Sequence, residues 1–217
     1  PKVLIPGPFK YVPKTDSFVT VSSSWELESY KYQTLAVSAK TFERNAAESS
    51  GTKIKRLLPE YTFNIGESAL DMEVVNQNGQ VNIVIMGERS LFCFSETCTL
   101  KYMKKFDYNP SAFCIYPNET QPDSNSLNFI VGTHSKCLFI HQDIRVKWAA
   151  QVDHVPVQIA VAKINDTKGI IVTLSEDGKL KCSYLGTEPA LLNPIMRDDV
   201  SKSFDYRAAE QDYRSLQ

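Results

Sequence analysis

The chain has 217 residues, with 24 Lys and Arg against 25 Asp and Glu and a formal net charge of −1. That balance supplies no positive field for non-specific nucleic-acid binding. Its apolar runs are strand-sized, well short of the roughly 20 residues that carry a helix across a bilayer.

The chain opens on Pro1-Lys2-Val3-Leu4-Ile5, which reads as a strand already under way, with no initiator Met. An excerpt from a longer protein is expected. The short apolar segments that follow are rich in Val, Ile, Phe and Tyr and are separated by turn residues, which is strand chemistry. In the first unit the expected strands are Val3–Val12, Phe18–Ser22, Glu28–Val37 and Tyr61–Ile65. Between the last two lies Ser38–Leu58, polar and charged around Ser49-Ser50-Gly51, and expected to be a flexible inserted loop. Trp25, Tyr30 and Tyr32 are read as core or blade packing rather than as stacking platforms for bases.

The next unit runs through Ala69–Val75, Val81–Met86, Leu91–Phe94 and Leu100–Met103. A third holds Ser111–Tyr116, Asn128–Val131, Cys137–Ile140 and Val146–Trp148. The last has Val157–Val161, Ile170–Leu174 and Leu180–Tyr184. Gly87 and Gly132 lie 45 residues apart, as do Met103 and Trp148, and Leu91, Leu138 and Leu180 are spaced by 47 and 42. A period of roughly 40–45 residues with four strands per unit is that of propeller blades. The fold class is therefore all-β: a partial β-propeller of about three and three-quarter four-stranded antiparallel blades over residues 1–190. The second strand of each blade is apolar on both faces and is expected to be buried on both. Asn78-Gly79 and Asp177-Gly178 mark hairpin turns. The last unit lacks a fourth strand, so that strand must come from elsewhere and the chain is expected to be about half of a ring. The open blades of such a half-ring favour self-association.

Residues 191–217 read as a linker and a C-terminal helix, with a disordered terminus as the alternative. Tyr206, Ala209, Tyr213 and Leu216 are spaced 3, 4 and 3 apart, one stripe of a helix beginning near Ser203, and are the candidate partner-binding residues. Asp199, Ser201, Ser203 and Asp205 offer caps or first-turn acids.

The five cysteines include no CxxC pair and fit a reduced, intracellular compartment. The sequons Asn118-Glu119-Thr120 and Asn165-Asp166-Thr167 would matter only in a secreted protein. His134, Cys137 and His141 have a metal-like spacing without an evident fourth ligand. Glu88-Arg89 and Glu176-Asp177 read as charged hairpin turns rather than acid–base pairs. No nucleophile elbow, P-loop, zincin helix or EF-hand loop is present. No catalytic, cofactor or metal residue is assigned. A propeller enzyme, glycosidase- or lyase-like, would place acids or His on the inner strands around the channel. There the sequence offers only Asp71 and Glu73, on one blade.

Several separated strings carry a resemblance: LIPGPF, TDSFVTVSS, ESYKYQTLA, FNIGESALD, MGERSLFCF and MKKFD, then HQDIRVKWAAQ, HVPV and KGIIVTLSEDGKLKCSYLGTEP. In content and order they resemble the N-terminal propeller of the parathyroid-hormone-responsive B1 family, the ninth Bardet-Biedl syndrome proteins, over about residues 4–189. Ser38–Leu58 and Pro117–Asn128 match poorly. The resemblance implies a seven-bladed propeller, of which this chain holds roughly the second half. It also implies a subunit of the BBSome, an octameric coat-like complex that moves membrane proteins to and from cilia. The partners would be other BBSome subunits and, through the complex, ciliary membrane-protein cargo. The places would be cytoplasm, centriolar satellites, basal body and the ciliary membrane. The family carries no catalytic residues and no cofactor, so the implied role is a non-catalytic scaffold.

Overall fold

The structure is a computed structural model and describes residues 7–47, 57–117, 126–164 and 167–184. Blade 1 is made of β1 (Phe9–Val12), β2 (Ser17–Val21), β3 (Glu26–Lys31) and β4 (Tyr61–Asn64), with helix α1 (Tyr32–Ala47) inserted between β3 and β4. Blade 2 holds β5 (Ala69–Gln77), β6 (Gln80–Gly87), β7 (Ser90–Ser95) and β8 (Leu100–Lys105). Blade 3 holds β9 (Pro110–Tyr116), β10 (Asn128–Thr133), β11 (Cys137–Gln142) and β12 (Arg145–Gln151). Blade 4 is β13 (Pro156–Ile164), β14 (Thr167–Ser175) and β15 (Leu180–Ser183). Each sheet is an antiparallel meander in sequence order, four-stranded in blades 1 to 3 and three-stranded in blade 4. The expected partial propeller is the fold observed.

The first strand of each blade touches the first strand of the next, β1 with β5, β5 with β9 and β9 with β13. These are the inner strands, and the blades fan outward from them. The core is three apolar layers, one between each pair of neighbouring blades. Val19, Leu27, Ile83, Ile85 and Phe94 pack between blades 1 and 2. Val84, Met86, Phe113, Phe129 and Val131 pack between blades 2 and 3. Ile130, Ile140, Ile159 and Ile171 pack between blades 3 and 4. Odd and even positions of one strand thus serve different layers: Ile83 and Ile85 face blade 1, while Val84 and Met86 face blade 3. This is why the apolar runs of β6 and β10 do not alternate. Gly132 leaves the room that blade 4 fills, since a Cβ there would stand 3.0 Å from both Pro156 and Ile159.

Two expectations are corrected. Burial of the second strand on both faces holds for β6 from Val81 onward and for all of β10. In β2 and β14 it fails. Ser17, Val19 and Val21 are buried while Phe18 and Thr20 are not, and Ile171, Thr173 and Ser175 are buried while Ile170, Val172 and Leu174 are only partly so. The physical reason is position: blades 1 and 4 each have a single neighbour among the described residues.

The second correction concerns the insertion. The third strand ends at Lys31 rather than Val37, and Tyr32–Ala47 is a helix where a strand end and a flexible loop were expected. That stretch contains four Ala with Leu, Lys, Glu and Arg, and no Gly or Pro. The polar and charged residues of the insertion say nothing against a helix, and the propensity of this stretch for one is high. Residues 48–56 of the expected loop lie outside the described residues.

Four hairpins share one turn. The amide of the fourth residue bonds the carbonyl of the first, Trp25 to Ser22, Cys98 to Ser95, Lys136 to Thr133 and Gly178 to Ser175, at 2.9–3.1 Å. That fourth residue has φ of 61, 58, 60 and 76° respectively. In three of the turns the Ser or Thr hydroxyl also accepts the amide of the fifth residue, Thr99, Cys137 or Lys179. Trp25, expected to pack inside, sits at such a turn and is 49 % exposed.

Candidate interaction site

Catalysis would require reactive groups around the inner strands. Those strands line a cavity of about 390 Å³ bordered by Asp71, Glu73, Cys114, Tyr116 and Gln158. Lys10, on β1, reaches across from blade 1 and places Nζ 3.0 Å from Glu73 Oε1. Asp71 Oδ1 accepts the Met72 amide at 2.8 Å. Burial pushes the Asp71 carboxyl up, partly offset by that amide. Charged groups from two blades therefore do converge here, which the sequence reading missed because it did not count Val3–Val12, the first strand of its unit, among the inner strands. They converge as an ion pair that holds blade 1 to blade 2. Glu73 is paired with Lys10, so among the described residues lining the cavity Asp71 has no second unpaired carboxylate beside it.

A second constellation has the look of a relay. His154 Nδ1 lies 2.7 Å from Asp153 Oδ1, and its Nε2 lies 2.9 Å from Thr173 Oγ1. Lys181 also bonds Asp153. The Asp153 carboxyl is held far below the usual carboxylate range, first by His154 and then by Lys181. Thr173 would have to be the nucleophile, and it is 2 % exposed in the middle of blade 4. A buried hydroxyl inside a packed blade cannot meet a substrate. The chain of bonds instead joins the blade 3–4 connection to β14 and β15 and satisfies groups that burial would otherwise leave unpaired.

The third candidate, His134 with Cys137 and His141, separates in space. His134 is in an exposed turn, and Cys137 Sγ points to the Ser135 carbonyl at 3.6 Å. His141 is fully buried, stacked on Phe129 at 4.8 Å with a 2° interplanar angle, and its Nε2 lies 2.7 Å from the Tyr108 hydroxyl. Burial lowers its pKa to about 4, with a smaller push from Lys104, so it is neutral at pH 7. Glu88-Arg89 and Glu176-Asp177 are turn residues, as expected.

What remains are surfaces. On blade 1, away from blade 2, Phe9 stacks on Phe18 at 4.9 Å, and Tyr11 and Tyr32 flank it at 5.1 and 6.2 Å. Phe9, Tyr11 and Tyr32 are exposed. On blade 4 the corresponding face carries Ile170, Val172 and Leu174, and among the described residues β15 bonds only β14. Among the described residues, the arc of blades thus ends in an apolar face on each side.

The family model described as PTHB1 N-terminal matches residues 1–189. The chain belongs to the PTHB1 family. Protein PTHB1 of Xenopus laevis is 44 % identical over the whole of this chain and 25 % of its own length. The PTHB1 of Homo sapiens is 41 % identical over the whole chain and 24 % of its own length. The chain thus spans about a quarter of the curated PTHB1 relatives it matches. Among solved structures, the Neurospora crassa Pan2 WD40 domain superposes with a TM-score of 0.54 at 9 % identity, over 88 % of this chain and 49 % of that one. At that identity the likeness speaks for the propeller fold alone. The stripe Tyr206, Ala209, Tyr213 and Leu216 lies beyond the family match and outside the described residues.

Proposed function

We propose that this chain is a non-catalytic scaffold, about half of a seven-bladed ring, and works as part of a BBSome subunit in moving membrane proteins to and from cilia. The observation that carries the reading is the pair of apolar blade faces that no neighbouring blade covers among the described residues, on a chain of the PTHB1 family that covers a quarter of its relatives' length. In the whole protein those faces pack against further blades. The polar constellations fit the same role: Lys10 with Glu73, and Asp153 with His154 and Thr173, tie strands and blades together rather than face a substrate.

The partners we propose are other BBSome subunits and, through them, ciliary cargo. The places are cytoplasm, centriolar satellites, basal body and the ciliary membrane. The stripe Tyr206, Ala209, Tyr213 and Leu216 is proposed as one contact with a neighbouring subunit. The test is co-expression of the full-length protein with defined BBSome subunits, followed by size-exclusion chromatography. Co-elution, weakened by Tyr206→Asp with Leu216→Asp, is the expected result. Elution of a folded protein alone would overturn the reading.

A further inference from the structure

The outer rim between blades 1 and 2 is an apolar cleft with a wall from each blade. β4 and β8 are the outermost strands of their sheets, each bonded to one neighbour among the described residues. In β4, Tyr61 pairs with Ser29 and Phe63 with Leu27, so both stand on the side of Leu27, which packs in the layer between blades 1 and 2. In β8, Leu100 pairs with Phe94, Met103 with Phe92 and Lys105 with Ser90. Phe92 and Phe94 belong to that same layer, and a bulge between Cys93 and Phe94 brings Leu100 to the side of Met103 and Lys105. The walls meet at a floor: Phe63 lies edge-on to Phe94 at 5.1 Å, and Ser29 is in hydrogen-bonding contact with Cys98. Above it Tyr61 is 46 % exposed, Leu100 37 % and Met103 53 %.

Single exposed apolar residues are ordinary on a surface, whereas three that overhang one cleft from two sheets mark a contact. Lys104 bridges blade 2 to the Ile144 carbonyl of blade 3 at 2.6 Å, but no hydrogen bond or ion pair joins β4 to β8 among the described residues. The cleft between blades 1 and 2 is therefore open, and its charges select the occupant. As fourth strands of equivalent sheets, β4 and β8 run the same way, so Lys105 stands at the end away from Tyr61 and Leu100. Lys105 is exposed and forms no ion pair among the described residues. At the other end Glu60 neutralises Lys31, 3.5 Å away. At about 3.4 Å per residue, the six residues of β8 give room for an extended segment of similar length. We propose that this cleft binds an extended segment of a partner protein that carries apolar side chains and, at one end, acidic residues. The apolar side chains fill the space over Phe63 between Tyr61, Leu100 and Met103, and the acid meets Lys105. The inference goes beyond the scaffold reading and stands apart from it, because subunits can assemble while this cleft binds nothing.

The experiment is fluorescence anisotropy of the full-length protein with labelled peptides that join a Phe-Ser-Leu core to a run of Asp at either end. The controls carry Lys in place of Asp, or Ser in place of Phe and Leu. An Asp peptide should bind, more weakly as salt is raised, and neither control should. Tyr61→Ala with Met103→Ala should lower affinity about tenfold or more, and Lys105→Glu should shift preference from the Asp to the Lys peptide. Val146→Ala, exposed on blade 3, should change nothing. If the double variant does not fold by circular dichroism, Met103→Ser alone carries the same test. No binding of either Asp peptide, equal binding of the Lys peptides, or unchanged affinity in the cleft variants would each overturn the proposal. So would loss of self-association in the double variant with no peptide bound by wild type, which would make a second copy the occupant.

Discussion

His141 shows what a single buried polar residue does in this fold. It stacks on Phe129, meets Phe106 edge-on at 5.5 Å and bonds Tyr108, while its Nδ1 has no hydrogen-bond partner among the described residues. With a folded pKa of about 4 against 6.5 unfolded, the unfolded chain takes up a proton first as pH falls. Stability from the neutral ring is therefore whole above about pH 6.5 and is lost progressively toward pH 4. Urea unfolding of wild type and His141→Phe at pH 7 and pH 4 should differ in their pH dependence by roughly 3 kcal/mol, with wild type losing more. Parallel pH profiles would show that the ring charges in place. The spacing of His134, Cys137 and His141 suggested nothing of this, because spacing does not reveal which face of a bulged strand a side chain takes. The bulge lies between Ile140 and His141.

Among elements, adjacent residues of one strand have opposite fates. Ile171 is 1 % exposed and packs with Ile159 and Ile140, while Val172, its neighbour, is only partly buried, on the face of blade 4 that has no neighbouring blade among the described residues. Ile171→Asp should abolish folding, as should Ile83→Asp between blades 1 and 2, because each strands a charge in an apolar layer. Val172→Asp should keep the fold at a cost of about 1 kcal/mol in this chain. Circular dichroism and thermal melts of the three variants test this, and loss of fold in Val172→Asp would mean that its face is covered. The shared turn of the four hairpins was missed for a related reason. Gly occupies its positive-φ position only at Gly178, and Trp25, Cys98 and Lys136 take it elsewhere. A search for Gly finds one turn in four, whereas a Ser or Thr three residues before the turn residue marks them all.

At the scale of the molecule the uncovered faces should make the chain sticky. The aromatic face of Phe9, Tyr11, Phe18 and Tyr32 is what a neighbouring blade covers elsewhere in the same arc, and the edge of β15 is what a fourth strand covers in the other blades; among the described residues neither is covered. Exposed apolar surface of this kind drives association. Sedimentation velocity should show an average mass that rises with concentration, and Phe9→Lys should reduce the rise. A monomer at every concentration would mean that these faces are too small or too polar to pair.

Composition, strand length and a repeat near 45 residues determined the all-β class, the blade count and the three-stranded last unit, since each blade must meet the same packing demand and so repeats the same pattern. The absence of catalytic motifs was equally legible, being a property of the string itself. Helix α1 was legible too, in the propensity of Tyr32–Ala47, but was read as part strand and part loop. Two things were decided only by tertiary structure. The pairing of Lys10 with Glu73 and of His154 with Thr173 joins residues 63 and 19 apart. Single-sided burial of β2 and β14 depends on which blades stand beside them, and a strand's own residues carry no record of its neighbours.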